Sequence, residues 1–248
     1  MTERRSSLYS ILELSDKESF LIALTPFSHV YAVTATVHGK PAVTSRWQDT
    51  LEEVTIGGQK VYRRTQISTQ SNGRVRTWIS VFLPESLSPV ADTFNTSEGD
   101  IFIRTFANGV ATDYSSNGAQ RGVMTTSRAP LPSGYSDFNG GQFGLALLQL
   151  PLALHYKATL TTFAPTDSAI QLVPIEVLRT EKLAIGSCSL DAFVVRATFA
   201  AKYYPDEGQN SMTFWLTRGP PYVAKLVTEA PEKGIDVAFN LNPSEIEC

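Results

Sequence analysis

Two carboxylates in this chain stand beside aromatic rings, Asp113 before Tyr114 and Asp137 before Phe138. A carboxylate facing a cavity beside a ring favours its neutral form, which suits a general base. The same pairs adjoin Ser, Asn and Gly, the ordinary neighbours of solvated turn carboxylates. The three histidines are His29, His38 and His155. None shows His-x-x-x-His or His-x-His spacing and neither cysteine sits in a Cys/His cluster, so no metal site is expected. Surface or structural roles are the ordinary expectation for histidines. His155 follows the apolar stretch Phe143 to Leu154, and an acid or base there would reach an enclosed cavity. The candidate catalytic residues are therefore Asp113, Tyr114 and His155. There is no Gly-x-Ser-x-Gly elbow, no phosphate loop and no dinucleotide fingerprint, so no cofactor is expected.

A second set of residues could hold a ligand without transforming it. In the segment Val75 to Phe82, Val75, Thr77, Ile79 and Val81 face one way. Arg76, Trp78 and Phe82 face the other, and such a face lines a cavity or wraps arginine stems over rings. Tyr31, Tyr62, Trp215 and Tyr222 also fall on strand-like segments. Such aromatics serve as core or cross-strand pairs, or offer a hydroxyl or indole at an apolar wall.

The elements that must position these residues are punctuated by Gly57-Gly58, Asn72-Gly73, Asn108-Gly109 and Asn117-Gly118. Such pairs accept positive φ at both centres of a primed hairpin turn. Period-two alternation begins at His29, with Tyr31, Val33, Ala35 and Val37 on one face. Strands are expected at 47–56, 61–68, 75–82, 101–106 and 110–114, with a loop bracketed by Pro84 and Pro89. Ala129 to Gly134 reads as a proline-rich surface crossing. Gly144 to Leu150 is apolar all round, which predicts a short buried helix ended by Pro151. Strands resume at 155–163, 170–179, 192–200, 212–216, 223–227 and 235–239. Ser15 and Glu18 have capping-box spacing, which predicts minor helical turns near the N-terminus. The fold class is mainly β: a curled antiparallel meander forming a barrel or half-barrel. It reads as one domain, with a helical or irregular segment (1–28), a hairpin meander (29–128), a crossing loop and helix (129–154) and return strands (155–240).

Composition narrows the partners. The 248 residues are 42% hydrophobic and 18% charged, with a formal net charge of -3. That balance offers no attraction to a phosphate backbone, so nucleic acid is not an expected partner. The longest apolar stretch falls short of the ~20 residues a helical membrane span needs. No signal-peptide pattern follows the first residues, so a cytoplasmic location is expected, or a periplasmic one if a leader has been removed. In a reducing compartment Cys188 and Cys248 would be unpaired thiols. Composition does not fix the oligomeric state.

The last third runs Gly186-Ser187-Cys188-Ser189-Leu190-Asp191, a polar turn at Pro205 to Gly208, then Met212-Thr213-Phe214-Trp215-Leu216 and Pro220-Pro221-Tyr222-Val223-Ala224-Lys225. From Gln142 to Phe239 this order resembles bacterial β-rich half-barrel proteins related to outer-membrane lipoprotein carriers. The resemblance implies a lipocalin-like container: a curled sheet around a helix, with an apolar cavity and no shared catalytic motif. Those proteins are exported, whereas this chain shows no export signal. The leading functional expectation is a cofactor-free cyclase or isomerase of secondary metabolism that folds an enclosed apolar substrate. The alternative is a non-catalytic lipid or apolar-ligand carrier.

Overall fold

The computed structural model describes residues 23–116, 123–131, 144–163, 170–199 and 210–246. The capping box, the N-terminal helical turns, Asn117-Gly118, Asp137-Phe138 and the Pro205 to Gly208 turn lie outside them.

The turn chemistry acts much as its residues dictate. Gly57 and Gly58 have φ of 59° and 83°, and Asn108 and Gly109 have 53° and 71°, the two positive centres of a primed turn. Asn72-Gly73 differs: only Gly73 is left-handed, at φ 84°. There the Gly73 amide donates to the Gln70 carbonyl and the Gln70 amide to the Arg74 carbonyl, each at 2.9 Å. This is the longer hairpin in which a type I turn ends on a left-handed glycine.

Fourteen strands result: β1 (Phe27–Val37), β2 (Lys40–Ile56), β3 (Gln59–Gln70), β4 (Val75–Phe82), β5 (Pro89–Thr96), β6 (Ile101–Ala107) and β7 (Val110–Ser116). The rest are β8 (Thr125–Pro130), β9 (Lys157–Phe163), β10 (Ile170–Ile185), β11 (Cys188–Phe199), β12 (Asn210–Leu216), β13 (Val223–Ala230) and β14 (Ile235–Leu241). They form one sheet in the order β8-β7-β6-β5-β4-β3-β2-β1-β14-β13-β12-β11-β10-β9. Every pair is antiparallel and sequence-adjacent except β1 with β14. The sheet is therefore a ring of hairpins opened at one seam, between β8 and β9.

The loop bracketed by Pro84 and Pro89 is present, and strand β5 follows it, in a segment where the sequence predicted no strand. Pro89 takes the first strand position, where a missing amide costs no central ladder bond. Its inward Asp92 is buried, so the hydrophobic alternation that would announce a strand is interrupted. Likewise Ala129 and Pro130 do not belong to the crossing but end the edge strand β8.

The predicted buried helix is not an α-helix, and no α-helix occurs among the described residues. Ala146–Gln149 forms a single 3-10 turn, with Leu148 donating to Leu145 and Leu150 to Leu147. The apolar run is too short to repay the nucleation of an α-helix before Pro151. Its burial is nevertheless complete: Leu145 and Leu147 have no exposed surface and Leu148 has 1%.

That turn reveals the curvature of the sheet. Leu145, Leu147 and Leu148 share one core with Leu51 of β2, Tyr62 of β3, Phe82 of β4, Ile175 of β10, and Phe214 and Leu216 of β12. In the sheet order β3 and β10 are seven places apart, about 33 Å if the sheet were flat. One plug can touch both only because the sheet curls around it. The fold is barrel-like and open, with this half of its interior filled.

The expectation of two free thiols is overturned, because Cys188 is disulfide-bonded. The tip of the β10–β11 hairpin lies against the segment after β14. A Cβ on Gly186 would stand 2.9 Å from the Pro243 Cβ, and the Cys188 Sγ is 3.9 Å from the Ile246 carbonyl. Strand order thus brings the segment after β14 to Cys188, which residue spacing does not reveal. Cys248, the only other cysteine in the sequence, lies outside the described residues.

Candidate ligand-binding face

Antiparallel register fixes which side chains share the concave face. Tyr31 stands opposite Trp47, Trp47 opposite Ser68, Ser68 opposite Arg76, and Arg76 opposite Thr96. The next inward row is His29, Asp49, Gln66, Trp78, Phe94 and Phe102. One row deeper stand Phe27, Leu51, Arg64, Ser80, Asp92, Arg104 and Asp113.

The first two rows assemble an aromatic arc. The ring centroids of Phe239 and Trp47 are 5.3 Å apart, those of Trp47 and Trp78 are 5.0 Å, and those of Trp78 and Phe94 are 4.8 Å. Trp47 and Trp78 come from β2 and β4, and their rings meet over β3. The residue beneath them, Ser68, is small enough to permit this and is buried by it. All four rings are half-buried rather than sealed. The Trp47–Phe239 contact is edge-to-face and the other two are tilted, and none is a face-to-face sandwich, which aromatic quadrupoles disfavour. The arc is a continuous apolar run on the concave face, and its Trp47 and Phe239 end packs against a second core cluster of Tyr31, Val33, Ile185 and Leu241.

Beneath the wall lies a floor of paired charges. Arg64 grips Asp49 through Nε at 2.8 Å and a second nitrogen at 2.5 Å. Arg104 holds Asp113 in the same two-pronged way, at 2.5 and 2.8 Å. These side chains retain between 2% and 9% of their surface. Planar arginine matched to carboxylate is the geometry that tolerates such burial. The Arg104 guanidinium also lies 5.0 Å from the Phe102 ring centre. Neither ion pair can separate without leaving a buried charge unpaired.

His29 sits opposite Asp49 and stacks on Phe27 with centroids 5.1 Å apart and planes 15° from parallel. Neither ring nitrogen has a hydrogen-bond partner. Burial lowers its pKa, opposed by the negative charges of Asp49 and Glu245. Tyr31 donates its hydroxyl to the Val223 carbonyl at 2.8 Å. Burial and then Asp49 push the Tyr31 pKa far above the tyrosine range, so the hydroxyl keeps its proton. A cleft of about 320 Å³ lies away from the arc, lined largely by Val30, Ala32, Thr44, Arg46 and Thr69, which belong to the opposite face of β1 to β3.

The structure disperses the three candidate catalytic residues. Asp113 faces inward but is held by Arg104. Tyr114, its neighbour, is on the opposite face, paired with Ile103 and Thr126. His155 is exposed in the connection before β9, at φ 63°. Of the candidate ligand residues, Trp78 joins the arc, and Arg76 and Tyr31 lie on the same face. Tyr62, Phe82 and Tyr222 belong to the core around the leucine plug. The Tyr62 hydroxyl donates to the Leu24 carbonyl, while the Tyr222 hydroxyl accepts from the Thr25 amide, so the two fasten the chain just ahead of β1. Trp215 is on the opposite face of β12 from Phe214. Its indole donates to Glu181 and Lys225 lies 4.5 Å from its ring centre. The Trp215 hydrogen bond is the main reason Glu181 has a lowered pKa.

Residue reading missed Trp47, Phe94, Phe239 and the two ion pairs. A signal for Trp47 existed: the two-residue Gly57-Gly58 turn pairs Ile56 with Gln59, and that register sets Trp47 opposite Ser68.

Among the described residues no group of three or more His, Cys, Asp or Glu side chains is placed to hold a metal ion. No helix among them is long and apolar enough to cross a membrane. No family model and no curated protein matches the chain. Its fold is similar to the crystal structure of a β-barrel-like protein of a domain of unknown function, DUF1849, from Brucella abortus. The TM-score is 0.57 with 12% sequence identity, over 89% of this chain and 97% of the other. That likeness shows a mainly β, barrel-like fold.

Proposed function

We propose that this protein binds an apolar or amphiphilic small molecule along the aromatic arc and carries it without transforming it. The observation that supports this is the run Phe239, Trp47, Trp78 and Phe94, four half-buried rings in successive contact on a concave face. Ligand sites are concave and apolar with few polar groups, and a wall of this kind has that character. The expected cyclase or isomerase needs a proton donor or acceptor converging on the substrate. Asp113 is engaged by Arg104, Tyr114 points the other way and His155 is exposed, which favours the carrier. The bonded state of Cys188 supports an oxidising, periplasm-like compartment over the cytoplasm.

The test is a titration with the fluorescent apolar probe N-phenyl-1-naphthylamine. The wild-type protein is expected to enhance its emission saturably, and Trp78→Ala to weaken binding several-fold while keeping the β-sheet circular dichroism. Probe emission without saturation, or affinity unaltered in a folded Trp78→Ala variant, would count against the arc as the site.

A further inference from the structure

Arg76 is the charged side chain that the arc leaves without a partner. It shares the concave face with Trp78, two positions away on β4, and stands opposite Ser68, over which the two tryptophan rings meet. Its Nε is shielded from solvent and has no hydrogen-bond partner. Neighbouring Arg74 is engaged by Glu98 and lies 4.0 Å from Asp100, whereas no ion pair forms at Arg76 among the described residues. Burial, and then the positive charge of Arg74, pull the Arg76 pKa below the ordinary arginine value, against the opposing negative charges of Glu98 and Asp100. A half-buried guanidinium with idle donors is costly until an anion satisfies it.

Resting on the reading of the arc as a ligand wall, we propose that Arg76 receives the head group of a single-chain carboxylate amphiphile, a fatty-acid-like molecule whose tail lies over Trp47, Trp78 and their flanking rings. The planar guanidinium matches a carboxylate in two-pronged fashion. Glu98 and Asp100, close enough to act on Arg76 through space, oppose a head group of higher charge such as a phosphate monoester. Arg76 and Trp78 are two positions apart on one face of β4, which sets a head-group site and a ring of the arc side by side on one strand.

The test measures hexadecanoate, hexadecanol and hexadecyl phosphate binding below their aggregation concentrations, for the wild-type protein and Arg76→Gln. The wild-type protein is expected to prefer hexadecanoate to hexadecanol by about tenfold, the scale of one charge-assisted pair at a half-exposed site. It is also expected to bind hexadecyl phosphate no better than hexadecanoate. Arg76→Gln should erase the carboxylate preference and leave hexadecanol affinity within about twofold. Equal binding of acid and alcohol by the wild-type protein, or a preference that survives Arg76→Gln, overturns the head-group assignment while the aromatic site stands. Failure of all three compounds to bind saturably overturns both.

Discussion

Replacing Asp113 by Ala strands the Arg104 guanidinium in a site where its side chain keeps 2% of its surface. Removing one partner of a buried ion pair costs about 3–5 kcal/mol, because the survivor has lost both water and counter-charge. In a chain of this size each kcal/mol moves the melting midpoint by about 2–4 °C, so Asp113→Ala should lower it by roughly 6–20 °C. Arg104→Met should cost more. Arg104 stands between Asp113 on β7 and Asp92 on β5, so its loss leaves two carboxylates facing across one vacated position. The double variant Arg104→Met/Asp113→Ala removes both charges of the pair. A double-mutant cycle should therefore show the combined cost smaller than the two single costs together, with a coupling of about 1–3 kcal/mol. Urea unfolding followed by circular dichroism at constant pH and salt measures all four species. Single costs below about 1 kcal/mol, or costs that add within about 0.5 kcal/mol, would refute the reading of Asp113 as a structural partner and return it to the catalytic candidates.

Other expected outcomes follow from the same structure. Leu147→Ala empties part of the plug and should cost about 2–5 kcal/mol by urea unfolding. Gly144→Ala would place a Cβ 2.6 Å from the Val223 Cγ2, and the overpacking should cost about 1–3 kcal/mol in the same assay. Burial depresses the pKa of folded His29, while the unfolded chain titrates near 6.5. The unfolded state then binds the extra proton first, so the stability His29 allows above pH 6.5 is lost as pH falls through the depressed folded value. His29→Leu should flatten the stability profile below pH 6.5, and an unaltered slope would remove His29 from the cause.

The meander was legible in the sequence because its turns are local. Gly57-Gly58 and Asn108-Gly109 adopt the backbone their residue types favour, and the Val75 to Phe82 alternation matches β4 residue for residue. The barrel-like curvature followed from the same reading, since so many hairpins in one sheet must curl. Three features were hidden for physical reasons. β5 carries Asp92 inward, because its charge belongs to a buried floor, and this disrupts the hydrophobic period. The plug is a 3-10 turn because its apolar run is shorter than α-helix nucleation requires. The arc joins residues from β14, β2, β4 and β5, so seeing it needs both the register and the β1–β14 pairing that no local pattern announces. Arg76 and Trp78 were visible as an unusual strand face, whereas the pairing of Asp113 with Arg104 depends on hairpin register.

The most direct measurement of the central claim uses the protein's own fluorescence. The chain has three tryptophans, Trp47, Trp78 and Trp215. In a Trp215→Phe variant only the two rings of the arc report. Titrating hexadecanol into that folded variant should shift its emission to the blue and saturate at one ligand per chain. Emission that stays unmoved, or drifts linearly without saturation while the sheet remains folded, would contradict the account.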